Sequence, residues 1–320
     1  TNTTEPLVAT RFDPNADAPQ TDEFIIGFEH ELMPEFTVGV NYTHRVFDNF
    51  IWARTERTPG SNDFYTSADY VPGGVVTGTT PDGTTYSQPY WVLDEVVSAY
   101  SVIMNRPDYE QTYKGIELTA VKRMSNRWML RGNVSWNDWK QNVGPNGFTD
   151  PTSLLTGYGC SNCDGEIVVQ GSGGTSGAKG GVYINSEWQY VVTGVYQIPV
   201  IETNFGLNLS GRQGYPTPYV HTTNIIGNEF GRKGVLVNGV DGARLEDIHV
   251  LDLRLSKELR LQGVGLTLSV DAFNVTNEQT VMQRNLLLRQ GSNAGAARPG
   301  GRITELVSPR VFRVGARLTF

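Results

Sequence analysis

The clearest pattern in this sequence is an alternation of apolar and polar positions over the last eleven residues. A period of two residues predicts a β-strand with one apolar and one polar face. The apolar positions are Phe312, Val314, Ala316, Leu318 and Phe320. Arg313 and Arg317 lie on the opposite face. This pattern is typical of a membrane strand between lipid and a wet lumen, although a half-buried strand of a soluble protein shares it.

Four further pairs of segments alternate in the same way, and a tight turn joins the two members of each pair. The pairs are 24–32 with 36–42, 113–122 with 128–136, 187–198 with 205–212, and 251–256 with 266–274. The turns are predicted at 33–35, 125–127, 199–204 and 260–263. Together with the final segment, the hairpins predict about nine antiparallel strands.

Longer connections rich in Gly, Pro, Thr and Asp separate the hairpins and are predicted to be loops. They cover 57–108, 142–181, 221–244 and 277–307. Short turns on one side and long loops on the other are typical of outer-membrane barrels, in which the turns are periplasmic and the loops extracellular. Because such barrels have an even number of strands, nine strands favour the C-terminal part of a larger transmembrane barrel. Residues 1–20 are then an extracellular loop segment, and residues 21–320 the barrel part.

The alternation also assigns faces to individual side chains. The residues expected to face lipid are Leu251, Leu253, Leu255, Leu266, Leu268 and Val270. The charged residues expected to face the lumen are Arg212, Asp252, Arg254, Asp271, Arg313 and Arg317. A dry core would not tolerate these groups unpaired, so their face is predicted to be wet. The arginines are candidates either for holding a plug or for contacting an anionic solute.

Composition supports an all-β envelope protein and excludes several other classes. The 320 residues include 36 Gly and 10% aromatic residues, and no apolar run is long enough for a membrane helix. The mean hydropathy of −0.31 does not argue against a barrel, because residues facing opposite solvents average out. A net charge of −7 argues against nucleic acid as a partner.

The candidates for chemistry are few. Cys160 and Cys163 are expected to form a local disulfide, since one Cys pair supplies only half of a metal site. The four histidines are scattered, and no motif of a hydrolase or metalloprotease is present. We therefore expect neither an enzyme nor a cofactor or metal site. The tryptophans, with Tyr42, Tyr183, Tyr215 and Tyr219, fall near predicted strand ends, where interfacial aromatic girdles lie.

Three segments carry a resemblance to a known family. They are 105–118, with the run Tyr-Lys-Gly-Ile-Glu-Leu, 271–277, with Asp-Ala-Phe-Asn-Val-Thr-Asn, and the end of the chain, 308–320. They resemble the C-terminal barrel half of TonB-dependent outer-membrane receptors, and especially the Oar-like group, whose full-length members carry an N-terminal carboxypeptidase-regulatory-like domain. The resemblance covers roughly residues 21–320.

The resemblance implies a 22-stranded barrel around a plug domain. It also implies uptake of a scarce large solute across the outer membrane of a Gram-negative bacterium, driven by a TonB-type energy-coupling complex. The plug and the N-terminal coupling segment have no counterpart in this sequence. The alternation ending at Phe320 resembles the signal that the barrel-assembly machinery reads. Outer-membrane lipid and surface lipoproteins or other envelope proteins are the remaining expected partners.

Two other functions stay open on the sequence alone. A passive porin-like channel would have an open pore narrowed by an inward-folded loop. A structural or adhesive surface protein would hold the connections 57–108 and 142–181 in order against partners.

Overall fold

A computed structural model describes residues 10–65, 67–93, 100–106, 110–142, 178–179, 182–183, 185–223, 233–238, 242–261, 263–289 and 301–320. Within these ranges the regular structure is β, apart from one short 3-10 helix, Ser67–Asp69. No helix among the described residues has the length and apolar character needed to cross a membrane. The strands are β1 (Thr10–Phe12), β2 (Gln20–Met33), β3 (Phe36–Asp48), β4 (Ile51–Glu56), β5 (Tyr70–Thr79), β6 (Thr85–Leu93), β7 (Tyr100–Asn105), β8 (Glu110–Ser125), β9 (Trp128–Asn142), β10 (Ala178–Lys179), β11 (Val182–Tyr183), β12 (Trp188–Ile198), β13 (Thr203–Arg212), β14 (Val220–Thr223), β15 (Lys233–Leu236), β16 (Ile248–Leu261), β17 (Val264–Phe273), β18 (Val281–Arg284), β19 (Leu287–Arg289), β20 (Ile303–Leu306) and β21 (Val311–Thr319).

Nine strands form one antiparallel sheet, which we call the wall sheet. Their order is β2-β3-β8-β9-β12-β13-β16-β17-β21. The predicted all-β antiparallel fold is confirmed, and the four hairpins and the final strand lie where the alternation places them. The predicted short turns are also present, since each contains a residue with positive φ. These residues are Glu35 (65°), Asn126 (49°), Glu202 (48°) and Gly263 (92°).

The wall sheet has one apolar and one polar face, and the register keeps them separate from strand to strand. Residues that lie opposite each other on paired strands share a face. Leu255 lies opposite Val270, and Val270 lies opposite Val314. Arg254 lies opposite Asp271 on the other face. A slip of one residue would exchange the two faces, so the continuity of each face across the sheet reflects a specific register.

The apolar face is not the inner surface of a β-sandwich. Leu255, Leu268 and Val270 are 47%, 44% and 48% exposed. A second sheet packed against them would bury most of this surface. The described residues therefore leave this apolar face uncovered.

Aromatic residues mark both ends of the apolar face. At the turn end, the Trp128 ring lies 6.3 Å from the Phe36 ring. At the loop end, Trp136 lies opposite Trp188 on the neighbouring strand. The nine residues from Trp128 to Trp136 cover about 26 Å along the strand. At the tilt of barrel strands this is roughly 20 Å of height, close to the apolar band of outer-membrane barrels.

The long connections are not simply loops, and this part of the prediction was wrong. We call the strands that they form the outer layer. Residues 57–108 contain the hairpin β5–β6 and the strand β7, and residues 220–244 and 277–307 contribute β14, β15 and β18–β20. Because β7 forms a sheet with β1 and β4, we include these two strands in the outer layer. Within 1–20, β1 pairs in parallel with β7. The sequence did not predict β5, because Pro72 and Gly74 are typical turn residues. In the structure they lie at a register shift within the hairpin.

The outer layer has a small hydrophobic core of its own. Tyr219, Val237 and Leu286 are buried together, and Tyr86 and Leu288 pack against them. These side chains come from three different connections. The Tyr86 hydroxyl also lies 2.7 Å from Nδ1 of the buried His221. The three connections therefore fold as one unit.

A second anchor in the outer layer is the carboxylate of Glu56, which is 1% exposed. Arg11 Nε and Nη2 donate to its two oxygens at 3.0 and 2.9 Å, and the backbone N–H groups of Gly60 and Asn62 donate at 2.9 and 3.3 Å. The Arg11 hydrogen bond, assisted by these backbone donors, lowers the pKa of Glu56 to about 2. The pair ties β1 to the end of β4.

Candidate functional site

The polar face of the wall sheet contains an ion-pair bridge across three strands. Asp271 on β17 lies between Arg254 on β16 and Arg313 on β21, because the register places the three side chains in one row. Arg313 Nε donates to Asp271 Oδ2 at 3.0 Å, and Arg254 Nη1 lies 3.3 Å from Oδ1. Asp271 is 4% exposed. One buried carboxylate therefore binds two arginines, and the group keeps a net positive charge.

A chain of hydrogen bonds continues across the same face on the neighbouring strands. Thr193 Oγ1 donates to Asn208 Oδ1 at 3.0 Å, and Asn208 Nδ2 donates to Asp252 Oδ2 at 3.4 Å. The second oxygen of Asp252 accepts the backbone N–H of Asn274 at 2.8 Å. Asp252 thus joins the wall strands to the residue at which the last long connection begins.

Asn274 is the site residue that sequence reasoning missed. It adopts a left-handed conformation (φ 48°) and is 4% exposed. Its Nδ2 donates to the carbonyls of Glu278 and Ser308 at 2.9 and 2.8 Å, and its Oδ1 accepts the N–H of Glu278 at 2.8 Å. An Asn that follows a strand and precedes a loop is the sequence signal for such a turn. Asn274 fastens both ends of this connection to the wall.

The other two candidate arginines lie apart from the bridge. Arg212, at the loop end of β13, stacks on the Tyr215 ring at 3.7 Å and donates to the Gln213 carbonyl at 3.1 Å. Arg317 lies opposite Thr267, nearer the turn end of β21. No hydrogen bond or ion pair holds Arg317 within the described part of the chain. It is therefore a charge on the polar face that remains available to a partner.

The first hairpins add a cluster of aromatic rings to the polar face. The Trp139 ring stacks on Phe47 and meets Tyr113 edge to face, both at 6.2 Å, and its Nε1 donates to Gln111 Oε1 at 3.2 Å. The Tyr113 ring lies over Gly115, where an added Cβ would come within 2.6 Å of the hydroxyl. This contact is a physical reason for the order Tyr-Lys-Gly in the sequence.

The residues predicted to form an aromatic girdle lie in different environments. Trp128, Trp136, Trp188 and Tyr42 lie on the apolar face near its ends. Trp139 lies on the polar face, and Tyr219 is a core residue of the outer layer, 3% exposed. Position near a strand end did not distinguish these environments.

The remaining candidate residues are the predicted assembly residues and the two cysteines. The predicted assembly residues lie on the edge strand β21, except Phe320, which directly follows it. Phe312, Val314 and Phe320 are 67%, 80% and 99% exposed. Cys160 and Cys163 lie outside the described residues. Among the described residues, no group of three or more His, Cys, Asp and Glu could hold a metal ion. The arrangement on the polar face can bind charged and hydrogen-bonding groups.

No protein-family model matches the sequence, and a search of curated proteins finds no match. Several solved structures are similar. The outer membrane transporter YddB from Escherichia coli has 12% identity over 94% of this chain and 33% of its own, with a TM-score of 0.45. The FrpB iron transporter from Neisseria meningitidis has 12% identity over 96% and 32%, with a TM-score of 0.46. The ferripyoverdine receptor of the outer membrane of Pseudomonas aeruginosa has 10% identity over 93% and 27%, with a TM-score of 0.47.

This chain thus spans about a third or less of the length of these proteins. None of the three similarities reaches a TM-score of 0.5 or an identity of 25%, so they assign no family.

Proposed function

We propose that residues 21–320 are part of the wall of a β-barrel in the outer membrane of a Gram-negative bacterium, with residues 1–20 in its extracellular layer. The observation that carries this proposal is the separation of faces across all nine wall strands. The apolar face is uncovered and ends in aromatic rows, as expected of a surface in lipid. The polar face carries Asp271 and its two arginines, as expected of a wet lumen.

The directions of the edge strands support a larger barrel. All eight pairings in the wall sheet are antiparallel, so the edge strands β2 and β21 run in the same direction. Direct pairing of β2 with β21 would be parallel. Antiparallel closure instead requires an odd number of further strands, which gives the even total of bacterial barrels. Closure is also needed because an open strand edge leaves polar backbone groups in hydrocarbon.

Within this frame, the function we propose is that of a TonB-dependent receptor that takes up a scarce large solute. The resemblance of 105–118, 271–277 and 308–320 to that family supports it. The outer layer supports it too, since three connections with a shared core can present a fixed binding surface. In this role the arginines of the polar face hold a plug or contact an anionic solute, and an inner-membrane coupling complex supplies energy. The Oar-like group is the subgroup we propose.

A structural or adhesive surface protein is the second candidate. The ordered hairpin β5–β6 favours it, because a surface protein that binds partners would hold the connection 57–108 in order. A passive porin-like channel is a third alternative, and no contact among the described residues specifically favours it.

The test combines fractionation with uptake. Cells that make the protein from its native gene are fractionated, and uptake of labelled solutes too large for porins is compared with and without that gene. We expect the protein in the outer membrane and uptake that stops when the energy-coupling complex is inactivated. Uptake that persists without coupling would overturn active transport in favour of a channel. Unchanged uptake with unchanged location would favour the surface role.

A further inference from the structure

The apolar face of the wall sheet is not flat. It contains a groove of about 480 Å³ across β2, β3, β8, β9 and β12. Phe28, Val40, Leu118, Val134 and Val192 are among the side chains that line it. Its volume lies within the range of ligand pockets, and its lining is apolar. A groove of this kind can take up an elongated hydrocarbon group.

Small residues create the groove. Ala120 and Gly132 lie opposite each other on β8 and β9, among larger neighbours on the same face. A Cβ added at Gly132 would meet only the Cβ of Ala120 and Cγ2 of Val192, both at 3.9 Å, which is ordinary contact. The space above Gly132 is therefore open, and no backbone strain requires glycine at this position.

A lysine and a histidine lie beyond the loop end of the groove. Lys114 on β8 lies opposite His44 on β3, one row outside the row that contains Ile116 and Tyr42. Lys114 also lies opposite Asp138, but Lys140 Nζ holds that carboxylate at 2.7 Å. In the described part of the chain no hydrogen bond or ion pair engages Lys114.

The opposite end of the groove does not offer a comparable charge. Lys122 is 3% exposed and donates to the Arg123 carbonyl at 2.8 Å and to the Ser125 hydroxyl. Its ammonium also lies 5.2 Å from the centre of the Trp128 ring. A headgroup with negative charge is therefore recognised at the loop end, where Lys114 lies just outside the aromatic row.

We propose that this groove is a lipid-binding site for the phosphorylated glycolipid of the outer leaflet. One acyl chain lies in the groove, and a phosphate lies between Lys114 and His44. The seven residues from Lys114 to Ala120 give a site about 20 Å long. The site rests on the proposed membrane placement, which puts the loop end in the outer leaflet. It does not depend on transport.

The test measures lipid that co-purifies with the protein from outer membranes in mild detergent, by native mass spectrometry. Gly132→Leu fills the groove, and Gly132→Ala fills it in part. Gly194→Ala is the matched control, since Gly194 lies on the same face outside the groove and its added Cβ would meet Leu207 Cγ at 3.6 Å. Lys114→Gln removes the positive charge that would bind the phosphate of the headgroup, and Lys257→Gln is its control at the turn end.

We expect the unaltered protein to retain the glycolipid. Gly132→Leu and Lys114→Gln should each reduce retention about tenfold, because each removes contacts equivalent to one or two buried methylenes or one ion pair. Both controls should retain it fully. No bound lipid, or retention unaffected by Gly132→Leu, would overturn the site. Retention of a phospholipid whose amount does not depend on Lys114 would overturn the glycolipid.

The outcomes also separate this site from the proposed function. Protein that is absent from the outer-membrane fraction would remove the membrane placement and the site together. Protein in that fraction without groove-dependent lipid would remove the site alone. Groove-dependent lipid without solute uptake would keep the site and remove transport.

Discussion

Removing both arginines that flank Asp271 should cost much more stability than the two single losses predict. Arg254→Gln or Arg313→Gln alone leaves the Asp271 carboxylate with one cationic partner. The double variant leaves a buried carboxylate with none. The side chain of Asp271 is 5% exposed, so little water reaches its carboxylate although it lies on the polar face.

The expected magnitudes follow from the exposure of each group. The two arginine side chains are 50% and 61% exposed, and each rehydrates when it is unpaired. Each single substitution should therefore cost about 1 kcal/mol of unfolding free energy. The double variant should cost about 3 to 5 kcal/mol, the usual effect of an uncompensated buried charge. Adding Asp271→Asn to the double variant should return about 2 kcal/mol, because the buried group is then neutral.

The assay is urea unfolding of the protein folded into lipid vesicles, followed by the fluorescence of its six tryptophans. Arg317→Gln is the matched control, since Arg317 shares the strand and face of Arg313 but lies outside the bridge. It should change the unfolding free energy by less than about 0.5 kcal/mol. Additive losses in the double variant, or no recovery on adding Asp271→Asn, would refute the reasoning.

Three further predictions concern the outer layer and assembly. Glu56 contributes stability that is complete above its unfolded pKa of 4.5 and lost as the pH falls through its folded value of about 2, so hydrogen exchange near β1 should accelerate between these values. Arg11→Gln should remove most of this pH dependence, since only the backbone donors of Gly60 and Asn62 remain, and an unchanged profile would contradict it. Asn274→Ala should cost about 2 kcal/mol and speed proteolysis within 275–309, without changing exchange in β2. Deleting Phe320 should reduce outer-membrane abundance far more than solute affinity, so normal abundance of the truncated protein would exclude the assembly signal.

The sequence was sufficient for the wall sheet because its strands separate two different environments. In β21, each apolar residue alternates with a polar or small one, and a period of two is readable without knowledge of the partners. Strands of the outer layer have no such signal. In β5, Pro72 and Gly73 suggest a turn, and the strand exists because of its pairing with β6 and the contacts of that hairpin with β14.

The candidate site was predictable in part for the same reason. The alternation of side chains along each strand placed Arg254, Asp271 and Arg313 on one face. The short turn between β16 and β17 also limits the register, so the pair Arg254–Asp271 follows from the hairpin. Arg313 is different, because a connection of more than thirty residues separates it from Asp271 and leaves their register open. One of the two carbonyls that Asn274 Nδ2 binds belongs to Ser308, which is 34 residues away, so this contact is not predictable from the sequence either.

The shared core of the outer layer constrains how the protein can be made and how it can vary. Tyr86, Val237 and Leu286 belong to connections that follow different hairpins, so we expect their contacts to form only after the intervening wall strands are paired. We therefore expect the outer layer to fold last, and only when the wall strands that it connects are correctly paired. For the same reason, an insertion in one connection changes the fit of the other two. The surface exposed to the environment should accordingly change by coordinated substitutions in all three connections, rather than one loop at a time.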